Sequence, residues 1–151
     1  MALNLGKLAG NALLNGLSGN LNEVSPDALQ REYGAYLMSG ETIQTGFKLI
    51  RDAVIITDKR ILDFDKQGAT GSKQRVKSIR LSSIIDVEAE TAGFGIDDSE
   101  LTITYITSPY YKANSIETAS RKFEFPKSYN IQGLYKMLVE IAEANVEALN
   151  Q

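Results

Sequence analysis

The chain has 151 residues, a formal net charge of −3 and neither cysteine nor histidine. Its length fits one domain, and 43% hydrophobic with 23% charged residues is ordinary for a chain that buries a core. These numbers exclude a disulfide framework, thiolate metal ligands and a histidine general base, and a pI near 5.0 argues against a dedicated nucleic-acid binder.

Residues 3–21 place Leu5, Leu8, Ala9, Ala12, Leu13 and Leu17 on one apolar helical stripe. Gly6, Gly10, Gly16 and Gly19 weaken that helix by about 1 kcal/mol each relative to Ala, so it needs a surface to pack on. Asn4, Asn11 and Asn15 interrupt the apolar stretch, and Lys7 is the only early cation, so it does not read as a secretory signal. No apolar run approaches the ~20 residues that span a bilayer, and a cytoplasmic protein is expected.

Ser25-Pro26-Asp27 is a helix start: a capping hydroxyl, a proline suited to the first turn, and a carboxylate at the positive end of the dipole. Leu29, Tyr33, Tyr36 and Leu37 share a face, and Gly40 is a terminator, which predicts a helix over 26–38. From Ile43 the pattern becomes strand-like. Strands are expected at Gln44–Arg51, Ala53–Thr57, Arg60–Asp65, Lys73–Leu81, Ile84–Thr91, Glu100–Thr107 and Arg121–Phe125. A glycine-bearing loop fills 66–71, Gly93 and Gly95 mark a turn, and 108–120 reads as a long polar hairpin tip.

Ile131, Leu134, Tyr135, Leu138, Ile141, Ala142, Val146 and Leu149 then form one amphipathic face, with Ser128 or Asn130 as cap. Seven short antiparallel strands must form a sandwich or close into a barrel, and the last helix can cover an open end. The expected organisation is an N-terminal helical extension over 1–39 and a barrel domain with its C-terminal helix over 40–151.

The run Gly40-Glu41-Thr42-Ile43-Gln44-Thr45-Gly46-Phe47-Lys48-Leu49-Ile50-Arg51-Asp52 resembles the opening of the bacterial pleckstrin-homology (PH) domain family. So does Ile56-Thr57-Asp58-Lys59-Arg60-Ile61-Leu62-Asp63-Phe64-Asp65-Lys66-Gln67-Gly68, with Gly71 after it. Ser78-Ile79, Glu90-Thr91-Ala92-Gly93 and Glu100-Leu101 follow in the same order, and Leu14-Asn15-Gly16-Leu17-Ser18-Gly19-Asn20 is similar to the family's leader. The resemblance covers roughly 14–107 well and the rest loosely, with 121–151 matching in pattern more than in residues. It implies a mainly β fold, a PH-like seven-stranded antiparallel barrel capped by a C-terminal α-helix. It also implies small cytoplasmic proteins that assemble into ring-like oligomers, without an assigned reaction.

Charge is segregated along the chain. Lys59, Arg60, Lys66, Lys73, Arg75, Lys77 and Arg80 are opposed locally only by Asp63 and Asp65. Between Ser82 and Tyr111 there is no cation, and Asp86, Glu88, Glu90, Asp97, Asp98 and Glu100 accumulate. Three readings follow. If Ser82-Ser83 is a two-residue turn, Lys77 faces Glu88 and Arg75 faces Glu90 as cross-strand pairs. Alternatively, the basic face of one subunit meets the acidic face of the next, a heterologous contact that can close into a ring. Lastly, the basic 59–80 face, with Lys66, Lys73, Arg75 and Lys77, binds anionic lipid peripherally, aided by the leader.

The expected interaction surface is therefore Lys66, Lys73, Arg75, Lys77, Asp86, Glu88 and Glu90. A homo-oligomer, a protein partner or anionic lipid are the expected partners, without nucleic acid or cofactor. Asp97-Asp98-Ser99-Glu100 lacks the ligand spacing of a calcium loop, and 66–72 lacks the Gly-Lys-Ser/Thr order of a phosphate loop. Without histidine no Ser-His-Asp triad can form, and no carboxylate pair stands in a recognisable catalytic setting, so a non-catalytic module is expected. Tyr105 reads as core, and Tyr110 and Tyr111 as exposed contact residues on the tip.

Overall fold

The computed structural model describes residues 24–49, 52–67, 73–91 and 98–151, with backbone alone at 66 and 67. The leader stripe over 3–21, the tight turn at Arg51, most of the glycine loop and the Gly93/Gly95 turn lie outside the described residues. The chain divides into two compact units, one ending at Leu81 and the other running from Ser82 to the C-terminus.

The first unit contains helix α1 (Pro26–Tyr33), a 3-10 turn (Gly34–Tyr36) and strands β1 (Ile43–Lys48), β2 (Asp52–Thr57), β3 (Arg60–Gln67) and β4 (Lys73–Arg80). The strands form one antiparallel sheet in chain order, β1-β2-β3-β4. The start of α1 is as the sequence indicates: Ser25 Oγ accepts from Ala28 N at 3.3 Å, Pro26 opens the first turn, and Asp27 sits within it. Its end is earlier than predicted. Regular helix stops at Tyr33, Gly34 begins the 3-10 turn, and Leu37 is already extended. Glycine lowers helix propensity by about 1 kcal/mol, enough to end a helix of only eight residues here. Gly40 instead makes the turn into β1, at φ +76°, where a side chain is strained.

Leu29 and Tyr33 of α1 pack on Ile43, Ala53, Ile55, Leu62 and Phe64, all buried on one face of this sheet. The Tyr33 and Phe64 rings lie 4.6 Å apart, and Tyr36 sets its edge on Phe64 at 5.0 Å. Gly46 permits the approach, since a Cβ there would meet Leu29 Cδ1 and Ile55 Cδ1 at 2.8 Å. Phe47, Val54, Ile56, Ile61 and Ile79 are also buried.

The second unit contains β5 (Ile84–Glu90), β6 (Ser99–Ile106), β7 (Thr118–Phe125) and helix α2 (Gln132–Leu149). Its strands form a three-stranded antiparallel sheet, β5-β6-β7. Strict alternation in β6 buries Leu101, Ile103 and Tyr105 and turns Glu100, Thr102 and Thr104 outward. The seventh strand starts earlier than the sequence indicates: Thr118, Ala119 and Ser120 pair with Ile106, Tyr105 and Thr104, which shortens the tip.

In α2 the buried stripe is Leu134, Met137, Leu138, Ile141, Ala142 and Asn145, rotated from the predicted face, while Tyr135 is 37% exposed. Asn145 accounts for the rotation. Its Nδ2 donates to the carbonyl of Ile84 at 2.8 Å, tying the helix to β5. Asn130 Oδ1 accepts from Gln132 N at 3.0 Å at the head of α2. Among the described residues no helix is long and apolar enough to cross a membrane.

Candidate interaction surfaces

The predicted basic surface lies on the β3–β4 hairpin. Lys73, Gln74, Arg75 and Val76 are all exposed, and alternation resumes only toward Ile79, which is buried. The hairpin end therefore projects both faces of β4 into solvent. Lys73, Arg75 and Lys77 share one face of β4, whose only ladder partner among the described residues is β3. Lys77 stands opposite Asp63, which is buried, and Arg75 stands opposite Asp65. Lys66 is opposite Gln74 in the ladder, and its side chain lies outside the described residues.

This register corrects the expected hairpin. A 3-10 turn (Leu81–Ser83) carries the chain from β4, the last strand of one sheet, to β5, the first of the other. Neither Lys77–Glu88 nor Arg75–Glu90 is a ladder pair, because Glu88 is opposite Thr102 and Glu90 is opposite Glu100. The local signal, two polar residues between two strands, is the same for a hairpin and for a switch between sheets.

The predicted acidic residues occupy the outward face of β5-β6-β7, where three cross-strand rows are stacked. They are Asp86–Thr104–Ser120, Glu88–Thr102–Lys122 and Glu90–Glu100–Glu124. Asp86, Glu88, Glu90 and Glu124 are exposed, and Glu100 is half-buried. Lys122 Nζ reaches diagonally to Glu100 Oε2 at 3.0 Å. Its hydrogen bond and charge attraction to Glu100, with Glu90 and Glu124 nearby, raise the lysine pKa above its ordinary value. Among the described residues, five carboxylates thus share one face with a single ammonium. Reasoning from the sequence missed Glu124 and Lys122, because they lie on a strand far along the chain from Glu90.

Arg60, counted in the basic block, is withdrawn from the surface. Its guanidinium holds the buried Glu41 carboxylate bidentately, with Nε to Oε2 and Nη2 to Oε1 both at 2.9 Å. Thr57 Oγ1 donates to Glu41 Oε2 at 2.7 Å, and Met38 N donates to Oε1 at 2.9 Å. Arg60 Nη2 also donates to the Tyr36 carbonyl at 2.6 Å. Burial raises the Glu41 pKa, but bonds from Arg60, Thr57 and the Met38 amide outweigh it and hold the carboxyl down at about 2. The cluster joins the segment after α1 to the ends of β2 and β3 and is structural.

The sequence pattern of the family described as "Bacterial PH domain" matches residues 12–142. The chain belongs to the bacterial PH domain family. The match extends beyond the motifs at 14–107 to the tip, β7 and most of α2. An uncharacterised Bacillus subtilis protein, YjqA, is 38% identical over 120 residues, spanning 79% of this chain and 91% of its own. A crystal structure of a pleckstrin-homology domain from Shewanella amazonensis is 31% identical, with a TM-score of 0.62, covering 86% of this chain and 98% of the other. One from Shewanella loihica is 30% identical, with a TM-score of 0.60, covering 83% and 99%. A PH-domain protein from Exiguobacterium sibiricum has a TM-score of 0.66 at 22% identity, covering 85% and 65%, a likeness of fold alone. The mainly β, PH-like fold with its C-terminal helix is thereby shared with solved bacterial PH domains.

On this PH domain Tyr110 is 78% exposed at the β6–β7 tip, and Tyr105 is buried in β6, as the sequence indicates. Thr107 N donates to the Glu117 carbonyl at 2.8 Å, and Lys112 Nζ donates to the Gln151 carbonyl at 3.1 Å. Of the acidic run at 97–100, Asp97 lies outside the described residues, and Glu100 is engaged by Lys122.

Proposed function

We propose that this bacterial PH domain is a non-catalytic interaction module that self-associates. The basic hairpin end of one subunit meets the acidic sheet face of the next. The observation that carries this reading is the segregation of exposed charge. Lys73 and Arg75 are exposed and Lys77 half-buried on β4, while the exposed Asp86, Glu88, Glu90 and Glu124 share the β5-β6-β7 face with the half-buried Glu100, and among the described residues no ladder pairs the two sets. Two different patches meeting head to tail make a heterologous contact, which continues until a rotation closes it into a ring. Opposite fields also accelerate encounter and fix its register.

The test is the solution mass of the full chain by light scattering after size exclusion. Expected is a discrete oligomer whose dissociation is promoted by salt, because exposed charge pairs are screened beyond about 8 Å at physiological ionic strength. Arg75→Glu and Glu88→Lys should each give a smaller species, and mixing the two variants should restore a larger one. A monomer at low salt would sink the proposal. Sedimentation of that monomer with anionic but not neutral vesicles would assign the basic hairpin to lipid instead.

A further inference from the structure

A second surface lies on α2 and shares no residue with those used above. Tyr135, Val139, Ala142, Val146 and Leu149 recur at intervals of four and three, the spacing of a two-helix seam. This stripe flanks the buried face of the helix. Ala142 belongs to both, Val139, Val146 and Leu149 are half-buried, and Tyr135 is 37% exposed. Apolar surface thus continues past what the fold covers. The adjoining polar edge carries Lys136 and Glu143, both exposed and one heptad apart.

We infer that the α2 flank is a contact between two copies of this chain, with the helices antiparallel about a two-fold axis. The charges choose the orientation. In a parallel pair the edges carrying Lys136 and Glu143 would lie on opposite sides of the seam, and neither charge would meet the other helix's counter-charge. A two-fold level with residues 139 and 140 instead sets Lys136 of each copy opposite Glu143 of the other, giving two ion pairs by symmetry. At a rise of about 1.5 Å per residue, the same axis brings Tyr135 level with the gap between Ala142 and Val146 of the second helix. The tyrosine then packs beside the half-buried Val146. Such a contact is isologous. It uses none of the residues of the proposed heterologous contact, and it would pair assemblies rather than build them.

The experiment is a zero-length carbodiimide cross-link on an equal mixture of ¹⁴N- and ¹⁵N-labelled full chains, read by mass spectrometry. Expected is a Lys136–Glu143 link joining one light and one heavy peptide. Lys136→Glu should abolish that link and weaken pairing at least tenfold. The exchange Lys136→Glu with Glu143→Lys should restore both. These positions are exposed, so circular dichroism should show all variants folded. Arg75→Glu should leave the α2 link intact, which separates this contact from the proposed function. Links confined to one isotope, or a particle mass unmoved by Lys136→Glu and by Val139→Glu, would overturn the inference.

Discussion

Glu41 gives the sharpest thermodynamic test of how this unit is held together. Its side chain is wholly buried against the Arg60 guanidinium, and its pKa lies at about 2 against an ordinary 4.5. A carboxyl whose folded pKa is depressed favours the folded state wherever it is ionised in both states. The contribution is therefore complete above about pH 4.5 and is lost as pH falls toward 2. At 1.36 kcal/mol per pH unit, that amounts to roughly 3 kcal/mol. Urea unfolding of the wild type from pH 7 to pH 2 should show a fall of this order. In Glu41→Gln the neutral amide removes the titrating group, so the pH dependence should flatten by the same amount in that window. Arg60→Leu should be worse at neutral pH, by about 3–5 kcal/mol, because it leaves a buried carboxylate without its counter-ion. Parallel pH profiles for wild type and Glu41→Gln would refute this account of the cluster.

Gly46→Val should destabilise by about 1–3 kcal/mol through overpacking, because its first carbon already meets Leu29 and Ile55 at 2.8 Å; chemical denaturation measures it. Asn145→Ala removes the donor to the buried Ile84 carbonyl and should lower stability by about 1–3 kcal/mol, read by thermal unfolding, with amide exchange accelerated first in β5 and α2. Glu124→Lys inserts a cation into the Glu90–Glu100–Glu124 row and should raise unfolding stability by about 0.2–1 kcal/mol while reducing the oligomer mass seen by light scattering.

Among the described residues, the seven strands and the helices α1 and α2 were legible because their signals are local. Alternation marks β6, a proline-led capping sequence marks α1, and spacings of three and four mark α2. The partition of strands into sheets was not legible, because pairing is a long-range event and Ser82-Ser83 carries no mark of which partner β4 will take. The Glu41–Arg60 pair was hidden for the same reason: the two residues are 19 apart, and each is unremarkable in its own neighbourhood. Asn145 could have been read. A polar residue on an otherwise apolar stripe with Leu138, Ile141 and Ala142 demands a buried acceptor, and the Ile84 carbonyl supplies it. The segregation of charge was plain in the sequence, but its neighbours were not. Arg60 left the basic set for the interior, and Lys122 and Glu124 joined the acidic face from β7.

The proposal rests on that acidic face because folding does not require it. Like charges directly across a ladder oppose pairing, yet Glu90, Glu100 and Glu124 stand in one row with only Lys122 drawn diagonally toward them. Ordinary surface composition would intersperse the signs. Basic residues at Glu90 or Glu124 would give the same sheet with less repulsion and the same buried residues beneath it. A surface that holds like charge against its own stability is suited to gain when a cation arrives from outside. The projecting end of β4 is suited to supply one, with Lys73, Arg75 and Val76 all exposed. Gains in stability and losses in assembly should therefore travel together in this face. A substitution that relieves the row without weakening self-association would break the link between them.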